Sequence, residues 1–432
     1  MSWLAFVWLL LTGAGMVHCA IPRARLSEKL GLAFPVSAGV HALIDFGLME
    51  AWRAQAFWSA LILSPFLLFT VAIRPRWNIK NWTWKDGAAL LLIAAALAQV
   101  WTHVVIMPVV EWDAISMWLF KGKVIAIEGK LTGQEAVRFR DVQPSYPWNI
   151  PLMHAWFGRL KGRFSEDAAK GIVFMFFCSL LLILYSSARL RWERGSSLTF
   201  TAAYVVIPFA LVGAFNRDAD LILETLIAAS IFLALLLQIR PEPRTAVLLA
   251  VTIFLTCWTK AEGIAFSLLF CAYLIFAEFL SAGVKKRLPL IAALAGVTAG
   301  IFAFWIPKHL FGSEAWFVDR ATIPDFEMLP RAAGILGVML TEMFNGWKWN
   351  FAWWLPLLLL WTRQDPYRLK WLFFGQLALY FFSYFFAPYP FEWHMGTSLS
   401  RVLLHVLPAL FAWTVFAWPG GAENRAAKTT KP

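Results

Sequence analysis

The sequence predicts an all-α fold, a polytopic transmembrane helical bundle of about 13 spans. Three observations carry this. Apolar runs of about 20 residues, the length that crosses the hydrocarbon core, recur from end to end. Only 15% of the 432 residues are charged and 60% are hydrophobic, whereas soluble domains are roughly a quarter charged and half apolar. Basic residues gather in short loops between apolar runs, as the positive-inside rule expects.

The candidate spans cover 3–20, 31–49, 56–73, 87–107, 170–188, 198–214, 220–238, 245–258, 262–280, 288–306, 350–361, 371–387 and 401–418. The first resembles a signal peptide in length. However, no Lys or Arg precedes it, while Arg23, Arg25 and Lys29 follow it, so it is read as a retained helix with its N-terminus outside. From that start the cytoplasmic loops hold Arg23/Arg25/Lys29, Arg74/Arg76/Lys80/Lys85, Arg189/Arg191/Arg194, Arg240/Arg244, Lys285/Lys286/Arg287 and Arg363/Arg368/Lys370. Every second loop is a basic cluster, and the tail with Arg425, Lys428 and Lys431 is cytoplasmic too. One missed span would reverse all later loops.

Two outer loops are long, 108–169 and 307–349, and are expected to bear amphipathic juxtamembrane helices. In the second, residues 331–344 form an amphipathic stretch suited to lying flat on the outer surface. Three segments result: N-terminal transmembrane helices over 1–86, a transmembrane module over 87–418 that carries both loops, and a basic tail over 419–432. The 25 tryptophans suit membrane interfaces, as in Trp82-Thr83-Trp84 and Trp347-Lys348-Trp349. The net charge of +12 is spread over loops and does not indicate nucleic acid. Cys19, Cys178, Cys257 and Cys271 all sit in apolar runs, which suggests neither a disulfide framework nor a zinc site.

The informative segment follows the fourth span. After Pro108 the chain reads Glu111-Trp112-Asp113-Ala114-Ile115-Ser116-Met117-Trp118-Leu119-Phe120-Lys121-Gly122-Lys123. An acid at the membrane surface is costly unless solvated or used. Asp113 suits a helix N-cap, with Met117 and Lys121 following at i, i+4 spacing. Downstream come Arg140-Asp141, Pro144-Ser145-Tyr146-Pro147-Trp148-Asn149, His154, and Gly162-Arg163-Phe164-Ser165-Glu166-Asp167.

This order resembles the first outer loop of the GT-C glycosyltransferases, multi-span enzymes that use polyprenyl-phosphate sugars, such as the lipid A aminoarabinose transferases and protein O-mannosyltransferases. Trp112-Asp113-Ala114, Trp118, Lys121-Gly122-Lys123 and Glu392-Trp393-His394 with Thr397-Ser398-Leu399-Ser400-Arg401 look like a bacterial branch of that superfamily. The resemblance covers roughly 87–415 and lies in order and spacing, not in one motif. It implies transfer from a polyprenyl-phosphate-linked sugar to a hydroxyl of a lipid, glycan or protein acceptor, on the periplasmic face of a bacterial inner membrane. It puts Asp113 in the role of base. Where the family often has adjacent acids, Trp112 separates Glu111 from Asp113, so Glu111 stays an alternative. Three spans precede the loop where many members have one.

The chemistry sets its own requirements. Transfer needs a base for the acceptor hydroxyl and cations for the leaving phosphate. The donor lipid stays in the bilayer, so the site must assemble from the outer ends of several spans. Candidates there are Asp218 and Asp220 in Asn216-Arg217-Asp218-Ala219-Asp220, Lys260 and Glu262 in Thr259-Lys260-Ala261-Glu262-Gly263, and Arg401 after His394. Lys121, Lys123, Tyr146 and His154 complete the expected substrate-binding set. The plainer readings are a solvated turn for Asp218, a Lys260–Glu262 pair, a snorkelling Arg401 and a packed His154. No metal-ligand cluster stands out, and a divalent metal enters only through acids shared between loops. The rival function is a lipid-glycan transporter or flippase, which would place charges such as Asp45 and His41 near the bilayer midplane.

Overall fold

The computed structural model describes residues 2–48, 55–73, 82–129, 146–216, 218–279, 287–311, 328–362, 364–387 and 389–418. Among these residues every regular element is helical. The tail over 419–432, the basic residues at 74–80 and the middle of each of the two long loops expected to face outward fall outside them.

The N-terminal part comprises α1 (Ser2–Ala20), α2 (Leu26–Leu48), α3 (Gln55–Leu63) and α4 (Phe66–Thr70). Then come α5 (Trp84–Ile106), a π-helical turn (Ala114–Leu119) continuing into α6 (Phe120–Glu128), and α7 (Asn149–Lys161). The central helices are α8 (Glu166–Ala188), α9 (Arg194–Val205), α10 (Pro208–Phe215), α11 (Asp220–Ile239), α12 (Pro243–Cys257), α13 (Ala261–Phe279) and α14 (Leu288–Phe311). The C-terminal part has α15 (Met328–Met343), α16 (Gly346–Trp349), α17 (Leu355–Leu360), α18 (Leu369–Phe385), α19 (Phe391–Leu404) and α20 (Leu407–Ala417).

Each predicted span falls on helix, but the helices are less uniform than the hydropathy. Among the described residues seven are long and apolar enough to cross a membrane, or eight if the bent pair α9–α10 counts as one. Helices α12 and α13 are shorter and apolar. Proline explains most breaks, because it lacks an N–H and clashes with the preceding turn. Pro65 separates α3 from α4, and Pro208 starts α10 after a 70° bend. The last span begins ten residues before its predicted start, since α19 and α20 together run Phe391–Ala417. The predicted amphipathic stretch is α15, which packs on α18 and α19 with Ile335 and Met339 buried. Arg331 ties it down by donating to the carbonyls of Tyr384, Ala387 and Tyr389 at 3.0, 2.6 and 3.2 Å.

The bundle has two poles with different chemistry. At one, basic side chains stitch loops together. Arg25 donates to the Arg189 carbonyl at 2.7 Å, and Arg191 donates to Phe416 O and, at 2.8 Å, to Gln364. Arg194 lies 3.7 Å from Asp86, and Arg23 lies 3.9 Å from Glu242. Helices α5, α11, α12 and α19–α20 each have one end here. The opposite ends of α5, α11 and α12 border the acidic cluster described below, which α19–α20 joins through Arg401, ten residues after its start. In the core α11 is almost wholly buried, with α8, α12 and α20 against it.

Close backbone approach between α1 and α2 depends on Gly13, where a Cβ would lie 1.9 Å from the Ala33 carbonyl oxygen. Small residues permit this packing in membranes. Gly13→Ala is predicted to destabilise the fold by about 1–3 kcal/mol. Gly47→Ala, whose Cβ meets nothing within 4 Å, should be neutral. Thermal unfolding followed by thiol labelling of buried Cys257 and Cys271 reads the difference; equal midpoints would contradict the packing.

Candidate active site

Helix α5 ends where Met107 becomes extended before Pro108. The chain then re-enters helix through Asp113. Asp113 occupies an N-cap position but makes no capping bond with its side chain. Its carboxylate instead reaches across the bundle, Oδ2 lying 2.8 Å from Arg401 Nη1. The π-helical turn that follows is a geometry often found at functional sites. The N-cap reading of Asp113 therefore gives way to an inter-helix ion pair.

The second acidic pair opens α11. Asp218 Oδ1 accepts the Asp220 backbone N–H at 3.0 Å, which satisfies one of the free donors at the helix start. Asp220 stands in the first turn, where negative charge is favoured. Its Oδ1 accepts from Lys260 Nζ at 2.7 Å, and its Oδ2 accepts from Arg401 Nε at 2.6 Å. Arg401 Nε is also 3.6 Å from Asp218. Lys260 in turn lies 3.0 Å from Glu262. The turn that presents Lys260 is tight: a Cβ on Gly263 would fall 2.0 Å from the Thr256 carbonyl oxygen. It is also anchored, because Asn149 at the start of α7 donates to Thr259 Oγ1 at 2.9 Å.

Among the described residues, four carboxylates and two cations from several parts of the chain thus share one cluster. Asp218, Asp220 and Lys260 form its buried floor. Asp113, Arg401 and Glu262 form its accessible edge, each about a quarter exposed in the side chain. The solvated-turn reading of Asp218 and the snorkelling reading of Arg401 do not hold, since both point inward. The Lys260–Glu262 pair is present, alongside the stronger contact with Asp220.

Burial pushes the Asp218 carboxyl up to about 7, reinforced by neighbouring Asp220 and opposed by Arg401. Burial also disfavours the Lys260 ammonium, but Asp220 and Glu262 outweigh it and hold that charge well above the ordinary lysine range. Tyr146 borders the cluster. Burial and then Glu262 raise its phenol, with Lys260 and Arg401 opposing.

Other predicted residues lie elsewhere. Lys121 is fully buried, its ammonium 5.9 Å from the Tyr146 and Trp148 rings, and burial lowers it to about 7. It packs behind Tyr146. Lys123 is exposed on α6. Glu111 accepts the Val110 N–H at 3.2 Å. His154 is packed between α6 and α7, next to Gly122, and burial drops it to about 3, which keeps it neutral. His394 meets Tyr384 edge-to-face with ring centroids 4.8 Å apart. Among the described residues no group of three or more His, Cys, Asp or Glu is placed to hold a metal ion.

Several neighbours were not anticipated. His405 sits one turn after Arg401, with Nε2 3.2 Å from Asp220 Oδ1 and Nδ1 3.1 Å from the Tyr380 hydroxyl. Its i+4 spacing from Arg401 was available in the sequence. On the other side of α19, Ser400 donates to Glu342 of α15 at 2.5 Å, and Lys348 donates to Glu342 at 2.9 Å. No spacing signal points to that contact. Protein-family models, curated proteins and solved structures yield no match to this chain.

The elevated Asp218 carboxyl has a pH signature. Between the ordinary carboxylate value of 3.8 and about 7, the folded protein holds a proton that the unfolded chain releases. Stability must therefore fall as pH rises through that window. Difference infrared spectra should show a protonated-carboxyl stretch that titrates near neutrality and vanishes in Asp218→Asn, with a flatter stability profile in that variant. A wild-type band unchanged by Asp218→Asn would assign the proton elsewhere.

Proposed function

We propose that the chain is an integral-membrane glycosyltransferase. It moves a sugar from a polyprenyl-phosphate donor to an acceptor hydroxyl at the periplasmic face of a bacterial inner membrane. The observation that carries this reading is the Asp113–Arg401 pair, 2.8 Å apart, set on the accessible edge of a cluster that also contains Lys260. A carboxylate suited to act as base and cations suited to an anionic leaving group therefore stand side by side at helix ends. A donor whose lipid stays in the bilayer and whose phosphate sits at the interface fits such a place.

In this reading Asp113 takes the proton of the acceptor hydroxyl as its oxygen bonds to the anomeric carbon. The bond from that carbon to the phosphate oxygen breaks, and the polyprenyl phosphate leaves with the electron pair. Arg401, planar and able to bind bidentately, and Lys260 stabilise the charge that develops on it. Both cations rest on carboxylates beforehand. An incoming phosphate must share or displace these contacts, and protonation of Asp218 lessens the repulsion it meets. Tyr146 and Glu262, at the border of the cluster, are the residues assigned to the sugar. His394 lies further along α19, and the exposed Lys123 and buried Lys121 are more distant supports.

The transporter reading has one observation in its favour. Asp45 and His41 are buried in α2, where His41 Nδ1 lies 3.3 Å from Ser59 Oγ. Ionisable groups inside a span mark pathways in transporters. The two readings separate cleanly, because a transporter moves its lipid without making a glycosidic bond.

Asp113→Asn should retain folding and reduce sugar transfer by about 100-fold or more in membranes supplied with donor. Glycolipid analysis against a deletion background measures it. Transfer at the wild-type rate would remove Asp113 as base. In a background lacking the native cysteines, Cys at exposed Trp112 should react with an impermeant maleimide from the periplasmic side. Protection there, with labelling from the cytoplasm, would invert the orientation.

A further inference from the structure

The N-terminal helices, which the transfer chemistry leaves without a task, border a cavity. Its volume is about 260 Å³, and it lies between α1, α3 and α7. Leu4, Ala60, Phe157 and Leu160 make its walls apolar, and Leu4 and Leu160 are exposed at its rim. Two polar groups interrupt this lining. Trp8 contributes an indole Nε1 that is buried and has no hydrogen-bond partner among the described residues. Lys161 contributes an ammonium held only loosely, 3.4 Å from Ser165 Oγ and 4.0 Å from the exposed carboxylate of Asp167. The second tryptophan of the cavity, Trp156, has its N–H satisfied by Ser59 at 3.1 Å. Among the described residues such indole donors also occur at Trp258 and Trp353, and of these Trp8 is the one in the lining of this cavity.

We infer that this cavity binds one acyl chain of an anionic glycerophospholipid. The chain lies against the apolar wall, an ester carbonyl accepts the Trp8 N–H, and the phosphate rests on Lys161. Each part of such a lipid meets the side chain its chemistry requires: methylenes meet leucine and phenylalanine, a carbonyl meets an indole donor at interfacial depth, and an anion meets a cation. The site is separate from the carboxylate cluster. Helix α7 joins the two, with Asn149 bonded beside Lys260 at its start and Lys161 at its end. Its thirteen residues span about 20 Å. One phosphate cannot reach both, so a sugar donor whose phosphate sits at the carboxylate cluster leaves Lys161 to another anion. The inference does not depend on transfer activity.

The test is native mass spectrometry of the full chain, delipidated in mild detergent and titrated with phosphatidylglycerol, phosphatidylcholine or a polyprenyl phosphate. Wild type should retain one phosphatidylglycerol in preference to phosphatidylcholine. Lys161→Gln should lose that preference by about tenfold, the value of one charge-assisted contact. Ala60→Phe, which fills the cavity, should abolish retention of that lipid; because it also alters packing, the Lys161→Gln arm decides if Ala60→Phe fails to fold. Equal retention of phosphatidylglycerol by wild type and Lys161→Gln would overturn the inference. So would a site that prefers polyprenyl phosphate and loses it with Lys161→Gln.

Discussion

Asp220 is the point on which the polar pole turns. Its two carboxylate oxygens receive cations from different helices, Lys260 beside α13 and Arg401 on α19, and it is nearly inaccessible to solvent. A buried charge left alone is very costly, so each member of the cluster is tolerated only because the others are present. That mutual requirement fixes the register of α11, α13 and α19 at this end of the bundle. Apolar packing in a membrane is poorly directional, because lipid competes with every helix face. Ion pairs and hydrogen bonds supply the direction. The basic loop contacts at the opposite pole do the same there.

The cluster is graded from floor to edge. Asp220 and Lys260 are sequestered and compensate one another, whereas Asp113 and Arg401 meet solvent. In the proposed reaction a donor phosphate meets first a carboxylate and a guanidinium already in contact, and behind them Lys260, whose contacts with Asp220 and Glu262 it must share. Among the described residues acids outnumber cations here, and the raised Asp218 carboxyl relieves part of the excess. The rear of the cluster is also ordered. Tyr380 and His405 back Asp220, and Glu342 with Lys348 brackets Ser400 next to Arg401. Helix α15 is thereby coupled to the position of the arginine, which gives it a structural role.

Much of this was legible in the sequence because charge is rare in such a chain and falls at helix ends. Asp113, Asp218, Asp220, Lys260 and Arg401 each border an apolar run, and the structure gathers all five. Tyr146 joins them at the edge. Lys121 and His154 border no run end. They lie on α6 and α7, two helices that pack face to face, and a polar residue on such a face is as readily structural as chemical. The partnership of Glu342 with Ser400 spans 58 residues, and no periodicity encodes it. Span lengths are not legible where proline interrupts an apolar run, since hydropathy averages over the break while the backbone does not. The early start of α19 escaped notice because its first turns carry Glu392, His394 and Ser398 and are amphipathic.

The shared-carboxylate arrangement is tested most directly by a double-mutant cycle on Asp220 and Arg401. Unfolding free energies of wild type, Asp220→Asn, Arg401→Gln and the double variant would be measured in one detergent. A coupling of about 1–3 kcal/mol is expected if the two side chains meet as described. Effects that add to within about 0.5 kcal/mol would contradict the contact, and with it the cluster on which the proposed chemistry stands.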